Sequence, residues 1–233
     1  MEDKIILIDK PAGISSFGVV AKVRTKLRDE FKHKVKVGHT GTLDPFATGL
    51  LILLSGQMTK KSSNFLKQDK IYEATLKLGC TSTTGDPEGE ISAYATKESE
   101  NADCGPSSSR NTIPNLSTIE SVIHNFIGKI NQTPPRFSAI KINGQRAYKL
   151  ARKGQDFEIP QRQVEIYSID ILDFHYPELK IKVHCSSGTY IRTLAEDIGK
   201  KLHTGAYLTA LRRIKIGDYN IKDAIPLSDF VLQ

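Results

Sequence analysis

Apolar runs and turn-forming segments alternate along the first 60 residues of the chain. The run KIILID at residues 4–9 predicts a short strand, which ends at the turn-like KPAGISS. Three valines and a leucine then recur at helical spacing, and Ser15 or Ser16 can cap that helix. The apolar LLILLSG that follows Gly49 predicts a buried strand. The chain is therefore expected to begin strand, helix, strand.

The middle of the chain adds a hairpin and a second helix. Residues 71–78 alternate between apolar and polar positions, and the TSTTGDPEGE that follows is rich in turn residues, which together predict a β-hairpin. Residues 92–117 are polar and lack a hydrophobic period, which predicts a flexible excursion. Ser117, with Glu120 three residues later, forms a capping box before an amphipathic helix.

The predicted strands and helices follow one another without a regular β-α-β alternation. LKIKVHCS at residues 179–186 predicts a further strand, and TYIRTLAEDIGKKL at residues 189–202 predicts a helix. This mixture favours an α+β fold with a mixed, largely antiparallel central sheet and flanking helices. Because no linker or repeat is visible, residues 1–233 are predicted to form a single domain.

Positive charge is concentrated in two parts of the chain. Residues 1–70 hold 13 Lys and Arg against 7 Asp and Glu, and residues 127–163 hold 8 against 2. Residues 71–126, between them, hold 3 against 8. If the fold brings the two basic blocks together, they form a surface that suits phosphate backbones; a merely solvated lysine-rich surface is the alternative.

The three cysteines and six histidines lack the spacing of a disulfide framework or a metal site. We therefore expect reduced thiols and no metal. No apolar stretch approaches the roughly 20 residues that a membrane span needs. The N-terminal MEDKIILIDK has acidic residues where a signal peptide carries positive charge. These features predict a cytoplasmic protein without a membrane partner.

The segment GHTGTLDPFATGL, residues 38–50, predicts a loop rich in glycine and threonine that contains one carboxylate, Asp44. The loop lacks the lysine of a phosphate-binding P-loop. Asp-Pro is ordinary turn chemistry, because proline biases the preceding residue toward an extended backbone. From these residues alone, a structural turn is the better-supported interpretation. His39 by itself is more typical of a surface or hydrogen-bonded histidine than of a catalyst.

Two further segments contain candidate binding groups. HCSSGTYIRTLAEDIG, residues 184–199, places Arg192 one turn into a predicted helix, where it can face a ligand or pair with Glu196 on the helix surface. Residues 133–154 mix six basic side chains with two aromatics. That mixture suits phosphates and unstacked bases, and a solvated helix anchored by a tyrosine fits equally well. On these residues alone, both pairs of interpretations stay open.

Six segments resemble, in their order and approximate spacing, the TruB pseudouridine synthases: DKPAGISS, GHTGTLDPFATGLL, KIYEATLKLG, PPRFSAIKINGQRAYKLARKG, CSSGTYIRTLAEDIG and GAYLTALRRIKIG. The resemblance spans roughly residues 5–228, and the combination of GHTGTLDP with CSSGTYIR is highly specific. It implies the pseudouridine synthase fold, with a central RNA-binding cleft. It also implies the isomerisation of uridine to pseudouridine in the T-loop of tRNA, at position 55.

The resemblance implies roles for individual residues. Asp44 would be the nucleophile that acts on a flipped-out uridine, Arg192 its ion-pair partner, and Tyr72 the aromatic stacked on the uracil. Residues 133–154 would be a basic insertion that binds RNA. The implied substrate-binding residues are His39, Lys10, Tyr190, Leu211, Arg146 and Lys149. No metal or cofactor is implied.

The chain departs from the family pattern at two places. The usual T-D-T after the first hairpin strand is replaced by STT at residues 82–84, which weakens any polar role of that turn but leaves Asp86 and Gly89 in place. The chain ends at Gln233, where most bacterial relatives continue into an RNA-binding PUA domain. The resemblance implies the T-arm of tRNA as partner, no obligatory protein partner and a monomer. A non-catalytic tRNA-binding chaperone is the alternative, but it would not need Asp44, Tyr72 and Arg192 together.

Overall fold

The computed structural model of the protein describes residues 2–94 and 113–232. Most of the excursion predicted at residues 92–117 lies outside these residues. Within the described ranges, no helix is both long and apolar enough to cross a membrane.

Short helices are interspersed among many strands. The α-helices are α1 (Ser16–Phe31), α2 (Ser62–Leu66), α3 (Leu116–His124), α4 (Ala147–Arg152), α5 (Ile191–Lys201) and α6 (Leu227–Leu232). The strands are β1 (Ile5–Lys10), β2 (Val37–His39), β3 (Thr48–Ser55), β4 (Lys70–Leu78), β5 (Cys80–Ser82), β6 (Ile91–Ala93), β7 (Gly128–Gln132), β8 (Lys141–Ile142), β9 (Gln145–Arg146), β10 (Arg162–His175), β11 (Glu178–Cys185), β12 (Ala206–Ile216), β13 (Tyr219–Asn220) and β14 (Ile225–Pro226).

The chain divides into two compact units. Unit 1 comprises Met1–Glu73 and Leu211–Gln233, and unit 2 comprises Ala74–Ala210. Strands β4 and β12 each contain residues of both units.

Unit 1 is organised around β3, which explains why that strand is a continuous apolar run. In this unit the strands pair in the order β14-β1-β3-β12, with β2 also on β3. Leu51 and Leu53 pack in a core with α1, whereas Leu50, Ile52 and Leu54 pack in a second core on the other face. Because both faces of β3 are buried, a polar side chain at any alternate position of the strand would be removed from water without a hydrogen-bond partner.

In unit 2 the strands follow the order β12-β4-β11-β10-β7. β10 pairs antiparallel with both β11 and β7. Two small antiparallel hairpins, β5-β6 and β8-β9, stand outside this order. The predicted turn in TSTTGDPEGE lies in the β5-β6 hairpin. The strand assigned to that hairpin was wrong, because residues 71–78 belong to β4, which lies between β12 and β11 in the large sheet.

The predicted α+β class with a mixed, largely antiparallel sheet is confirmed. Ser15 caps α1 as predicted, since its Oγ accepts from the amide of Gly18 at 3.0 Å. The cap predicted for α3 is wrong, because Asn115 and not Ser117 accepts from the Thr118 amide. Ser117 lies inside the first turn and its hydroxyl donates to Asn115.

The close approach of β3 to β12 generates a stability prediction at Gly49. Gly49 pairs with Arg213 in a parallel register and has a φ of +103°, and a Cβ there would lie 2.3 Å from the Arg213 carbonyl oxygen. We expect Gly49→Ala to lower the free energy of unfolding by roughly 3 kcal/mol or more, measured by urea denaturation.

Gly38→Ala is the matched control for this substitution. In the part of the chain that the structure describes, no atom lies within 4 Å of a Cβ built on Gly38, and the φ of Gly38 is outside the left-handed range. We expect the control to change the unfolding free energy by less than about 1 kcal/mol. Equal losses in the two variants would contradict the proposed close approach.

Candidate functional site

Asp44 lies in the loop of residues 40–47, which connects β2 with β3 in unit 1. At the start of this loop, the amide and the hydroxyl of Thr40 both donate to the carbonyl of Ile52, at 3.0 and 3.3 Å. The amide of Ala47 donates to the carbonyl of Asp44 at 3.1 Å and closes a turn. The carboxylate is therefore carried by a loop with its own backbone hydrogen bonds.

Ser16, the first residue of α1, holds the residue just before Asp44. Its side chain is buried, with 2% exposure. Its Oγ donates to the carbonyl of Leu43 at 2.9 Å and accepts from the amide of Leu43 at 2.8 Å. A hydroxyl can donate and accept at once, so one side chain fixes both polar groups of Leu43.

Lys10, at the end of β1, holds the residue just after Asp44. Its ammonium group is fully buried and donates to the carbonyls of Pro11, Ile14 and Pro45 at 2.8, 2.7 and 3.2 Å. The carbonyl of Pro45 also accepts from the amide of Gly13 at 2.9 Å. Lys10 thus anchors the loop backbone at the Pro45–Phe46 peptide.

A second buried cation, Arg213 of β12, contacts the loop and the strand beyond it. Its Nε donates to the carbonyl of Leu50 at 2.8 Å. Its Nη2 and Nη1 donate to the carbonyls of Gly41 and Thr42 at 3.1 and 3.4 Å. Ser16, Lys10 and Arg213 together restrain the backbone on both sides of Asp44.

The other predicted site residues of unit 1 occupy three strands. Tyr72 is buried in β4, and Leu211 is buried in β12, where its carbonyl accepts from the hydroxyl of Thr48 at 3.5 Å. His39 ends β2 and is half-buried, and its Nδ1 accepts from the amide of Gly41 at 3.4 Å. His39 is thus held against the first residues of the Asp44 loop.

Arg192 lies in unit 2 and is buried in the first turn of α5, with 3% exposure. Its Nη1 donates to the carbonyl of Thr84 at 3.0 Å, and its Nη2 donates to the carbonyl of Phe137 at 2.9 Å. Nη1 also lies 3.3 Å from Oδ2 of Asp86, whose side chain is equally buried. This burial excludes the solvated helix-surface position that the sequence left open.

The turn after β5 keeps a polar role despite its STT sequence. The hydroxyl of Thr84 donates to Oδ1 of Asp86 at 2.6 Å, and the amide of Glu88 donates to the same oxygen at 3.0 Å. The hydroxyl of Ser82 donates to the carbonyl of Asp86 at 2.6 Å. The expectation of a weakened role was wrong, because these groups orient the carboxylate that pairs with Arg192.

Tyr190 precedes α5 and is tied to β7 through Gln132. The amide of Tyr190 donates to Oε1 of Gln132 at 2.7 Å, and Nε2 of Gln132 donates back to the carbonyl of Tyr190 at 3.0 Å. The guanidinium of Arg162 lies over the Tyr190 ring, 4.6 Å from its centroid. A cation above an aromatic face stabilises the position of the ring.

Arg146 and Lys149 lie on the segment of β8, β9 and α4 in unit 2. Both side chains are exposed. The hairpin turns at Asn143 and Gly144, which both have positive φ, and Nη1 of Arg146 donates to the carbonyl of Ala139. This segment therefore presents positive charge to solvent on a folded hairpin and a short helix.

A polar cavity of about 470 Å³ in unit 2 is lined partly by the residues that anchor Arg192. Thr84 and Phe137 form part of its wall, and Glu196 and Asp197 of α5 form another part. Burial raises the pKa of Glu196, and it also raises the pKa of Asp197; the Lys200 ammonium opposes both shifts. The Arg192 guanidinium also acts against the raised pKa of Glu196, so burial is the main reason why that carboxyl favours its protonated form.

Sequence reasoning missed three residues that support the site: Ser16 as a holder of Leu43, Asp86 as the carboxylate beside Arg192, and Arg213. Ser16 was considered only as a helix cap. Arg213 lies in GAYLTALRRIKIG, but the sequence alone does not distinguish a buried basic residue of a strand from an exposed one. Only the three-dimensional structure shows that its guanidinium is buried.

Two family models match the chain. The model described as TruB family pseudouridylate synthase (N terminal domain) matches residues 28–191. The model described as tRNA pseudouridylate synthase B C-terminal domain matches residues 192–232. The first match alone covers more than half of the chain.

Curated proteins and solved structures are similar over nearly the full chain. A tRNA pseudouridine synthase B of Phocaeicola vulgatus is 42% identical over 230 residues, covering 98% of this chain and 92% of that protein. One of Cupriavidus pinatubonensis is 43% identical over 232 residues, covering 98% and 67%. A solved structure described as a Cbf5-Nop10-Gar1 complex superimposes with a TM-score of 0.70 at 27% identity. That superposition covers 99% of this chain, which spans about half the length of the compared chain.

The raised pKa of Glu196 generates a prediction about stability and pH. Because the folded state raises this pKa above its ordinary value of 4.5, folding favours the protonated carboxyl. The contribution of Glu196 to stability is present below pH 4.5 and is lost as the pH rises through the folded-state pKa. We therefore expect Glu196→Gln to raise the thermal midpoint at pH 7 relative to the original chain, and the difference to shrink toward zero below pH 4.5. Thermal denaturation followed by circular dichroism measures the midpoint of each protein at each pH.

Glu178→Gln, at an exposed position of β11, is the control for this pH series. It should leave the thermal midpoint nearly unchanged across the same range. A midpoint of Glu196→Gln that falls below that of the original chain at pH 7 would show that the ionised carboxylate is favourable where it lies.

Proposed function

Because the chain belongs to the TruB family and is a tRNA pseudouridine synthase, we propose that it isomerises the T-loop uridine at position 55 of tRNA, with Asp44 as nucleophile. The observation that carries this proposal is the restrained loop around Asp44. Leu43 is held by Ser16, Pro45 is held by Lys10, and the carboxylate between them is half-buried. A nucleophile needs its reacting atom held in place, and this loop meets that need.

The reaction places three demands on the protein. The bond from ribose C1′ to N1 of uracil breaks, the uracil turns within the site, and C1′ bonds to C5, while the proton of C5 is lost and N1 gains one. Asp44 would supply the electron pair that is needed to release the base, by adding either to the base or to the sugar. The remaining demands are to retain the detached uracil and to accept the proton of C5.

Tyr72 is proposed to contact the uracil. Its ring lies in β4 with 8% exposure, so it is held by its strand and is not a mobile surface group. An aromatic face suits stacking on a flipped-out base, and the phenol hydroxyl can accept or donate a proton. The role of Arg192 as the ion-pair partner of Asp44 stays a prediction, as does the role of Leu211 as a wall of the base pocket.

The substrate uridine has to leave its loop before it can react. Extruding a base costs a few kcal/mol, which contacts to the rest of the RNA must offset. The segment 133–154 is proposed to supply such contacts, because Arg146 and Lys149 are exposed on it and Arg152 lies over the ring of Tyr148. His39 and Tyr190 are proposed to contact the RNA nearer to the reacting base. We propose that the chain acts on tRNA as a monomer, without a protein partner.

Asp44→Asn tests the proposed nucleophile. The amide has nearly the shape of the carboxylate but is a much weaker nucleophile, so we expect the rate of pseudouridine formation to fall by roughly 10³-fold or more. Binding of tRNA should remain within about threefold of the original affinity, since the charge lost is one carboxylate. Release of tritium from [5-³H]uridine-labelled tRNA measures the rate, and filter binding measures the affinity.

Asp29→Asn, an exposed carboxylate of unit 1, is the control and should retain full activity. Turnover of Asp44→Asn within tenfold of the original rate would rule out Asp44 as the nucleophile. If neither the original chain nor any variant formed product while all bound tRNA, the chaperone function would be favoured instead.

Replacing Arg146 and Lys149 together with glutamine tests the proposed RNA-binding segment. Each phosphate contact contributes roughly 0.7 to 0.9 to the slope of log affinity against log salt. We expect the double variant to flatten that slope by about one to two units and to retain most of its rate at saturating tRNA. Binding titrations over a salt series measure the slope.

The matched control removes two lysines from another exposed part of unit 2. Lys180 and Lys182 pair with Asp173 and Asp170 on β10, so Lys180→Gln with Lys182→Gln makes the same change in charge elsewhere. This control should leave the slope nearly unchanged. An equal effect of both double variants would mean that only net charge matters and that the 133–154 segment is a solvated face.

A further inference from the structure

The guanidinium of Arg213 is a buried charge held by backbone carbonyls. The residue has 1% exposure, and its hydrogen bonds go to the carbonyls of Gly41, Thr42 and Leu50. Among residues 2–94 and 113–232, no carboxylate lies within 4.0 Å of this guanidinium. A buried cation without a carboxylate is expensive to desolvate. The three carbonyl dipoles are what offset that cost.

The neighbouring arginine of β12 does have a carboxylate partner, which lies in β1. Arg212, one residue earlier in β12, forms a two-point ion pair with Asp9 at 2.7 and 3.1 Å. Arg213, on the opposite face, donates to three backbone carbonyls. The two side chains therefore differ in their partners: Arg212 pairs with a carboxylate, and Arg213 holds the backbone.

The three carbonyls flank Asp44 along the chain. Gly41 and Thr42 come three and two residues before it, and Leu50 comes six residues after it. One planar guanidinium with several N–H groups in a fixed fork can hold all three at once. Arg213 thus ties the beginning of the loop to the strand that follows it.

The base of the Arg213 side chain is fixed as well. Its backbone pairs with Gly49 in parallel register, and the two backbones are so close that a Cβ on Gly49 would overlap the Arg213 carbonyl oxygen. Because both the backbone and the guanidinium of Arg213 are held, the side chain restricts the motion of the loop that it contacts.

We propose that Arg213 is a positioning residue for catalysis: its guanidinium fixes the geometry of the loop that carries Asp44. This inference rests on the proposed role of Asp44 and adds the residue that keeps it in place. The Arg213 guanidinium is buried and its hydrogen bonds go to protein backbone, so its loss should affect the catalytic rate and spare the binding of tRNA. A displacement of about 1 Å in a reacting group can lower a rate by roughly 10²-fold.

Arg213→Gln and Arg213→Lys test the proposal. Glutamine removes the charge and the fork, and lysine keeps the charge without the planar fork. At saturating tRNA we expect the single-turnover rate of Arg213→Gln to fall by roughly 10²-fold, with the Kd for tRNA within about threefold. Arg213→Lys should lie between Arg213→Gln and the original chain, which is partial rescue by the conservative variant.

Ile216→Ala is the matched control for loss of stability. Ile216 is buried in the same strand and packs in the core with Leu50, but it has no polar side chain to hold the loop. All variants are assayed at a temperature where circular dichroism shows them folded. We expect Ile216→Ala to lower the thermal midpoint and to keep the single-turnover rate within about threefold.

Hydrogen exchange separates this proposal from the proposed function. Amides of residues 38–50 should exchange faster in Arg213→Gln than in Ile216→Ala, whatever the chemical role of Asp44. Faster exchange together with the selective loss of rate supports the proposal. An unchanged exchange of this segment, or a folded Arg213→Gln with a rate equal to that of Ile216→Ala, would overturn it. Residual turnover in Asp44→Asn would instead overturn the role of Asp44 and leave the exchange result standing.

Discussion

The backbone around Asp44 is held by side chains that give up their contact with water to do so. Lys10 and Arg213 are buried cations, and each donates to backbone carbonyls of the loop or of its flanking strand. Ser16 adds a hydroxyl that serves both polar groups of Leu43. Burying these groups is tolerable only if their hydrogen bonds are made, so the loop geometry and the stability of unit 1 depend on the same contacts. The rest of the unit supports them: β1 supplies Lys10, α1 supplies Ser16, and β12 supplies Arg213.

Arg192 in unit 2 is oriented by a comparable arrangement. Two backbone carbonyls and the buried carboxylate of Asp86 hold its guanidinium. The hydroxyl of Thr84 and the amide of Glu88 hold Asp86 in turn. In both units, then, the candidate functional side chains are positioned by main-chain groups and buried polar partners. Such preorganisation is what a reaction needs when its intermediate is a detached base that must be turned and rejoined.

Much of the fold could be predicted from the pattern of the chain, and part of the site could not. The apolar run of β3 and the cap at Ser15 follow local rules, so they were confirmed. The cap of α3 was wrong because Ser117 and Asn115 are both good caps, and only the path of the backbone decides between them. Asp44 was singled out by its loop, but composition alone favoured a turn. Arg213 could not be found by pattern, since burial of a charged residue depends on distant backbone carbonyls that a sequence does not place.

We propose that a carboxylate held in this way isomerises one particular uridine of tRNA. The most direct measurement incubates the purified chain alone with an unmodified tRNA transcript and maps pseudouridine by carbodiimide treatment and primer extension. We expect one new stop, at the T-loop uridine of position 55, without any added protein or cofactor. A transcript with no new stop, or with stops elsewhere and an unmodified T-loop, would contradict it.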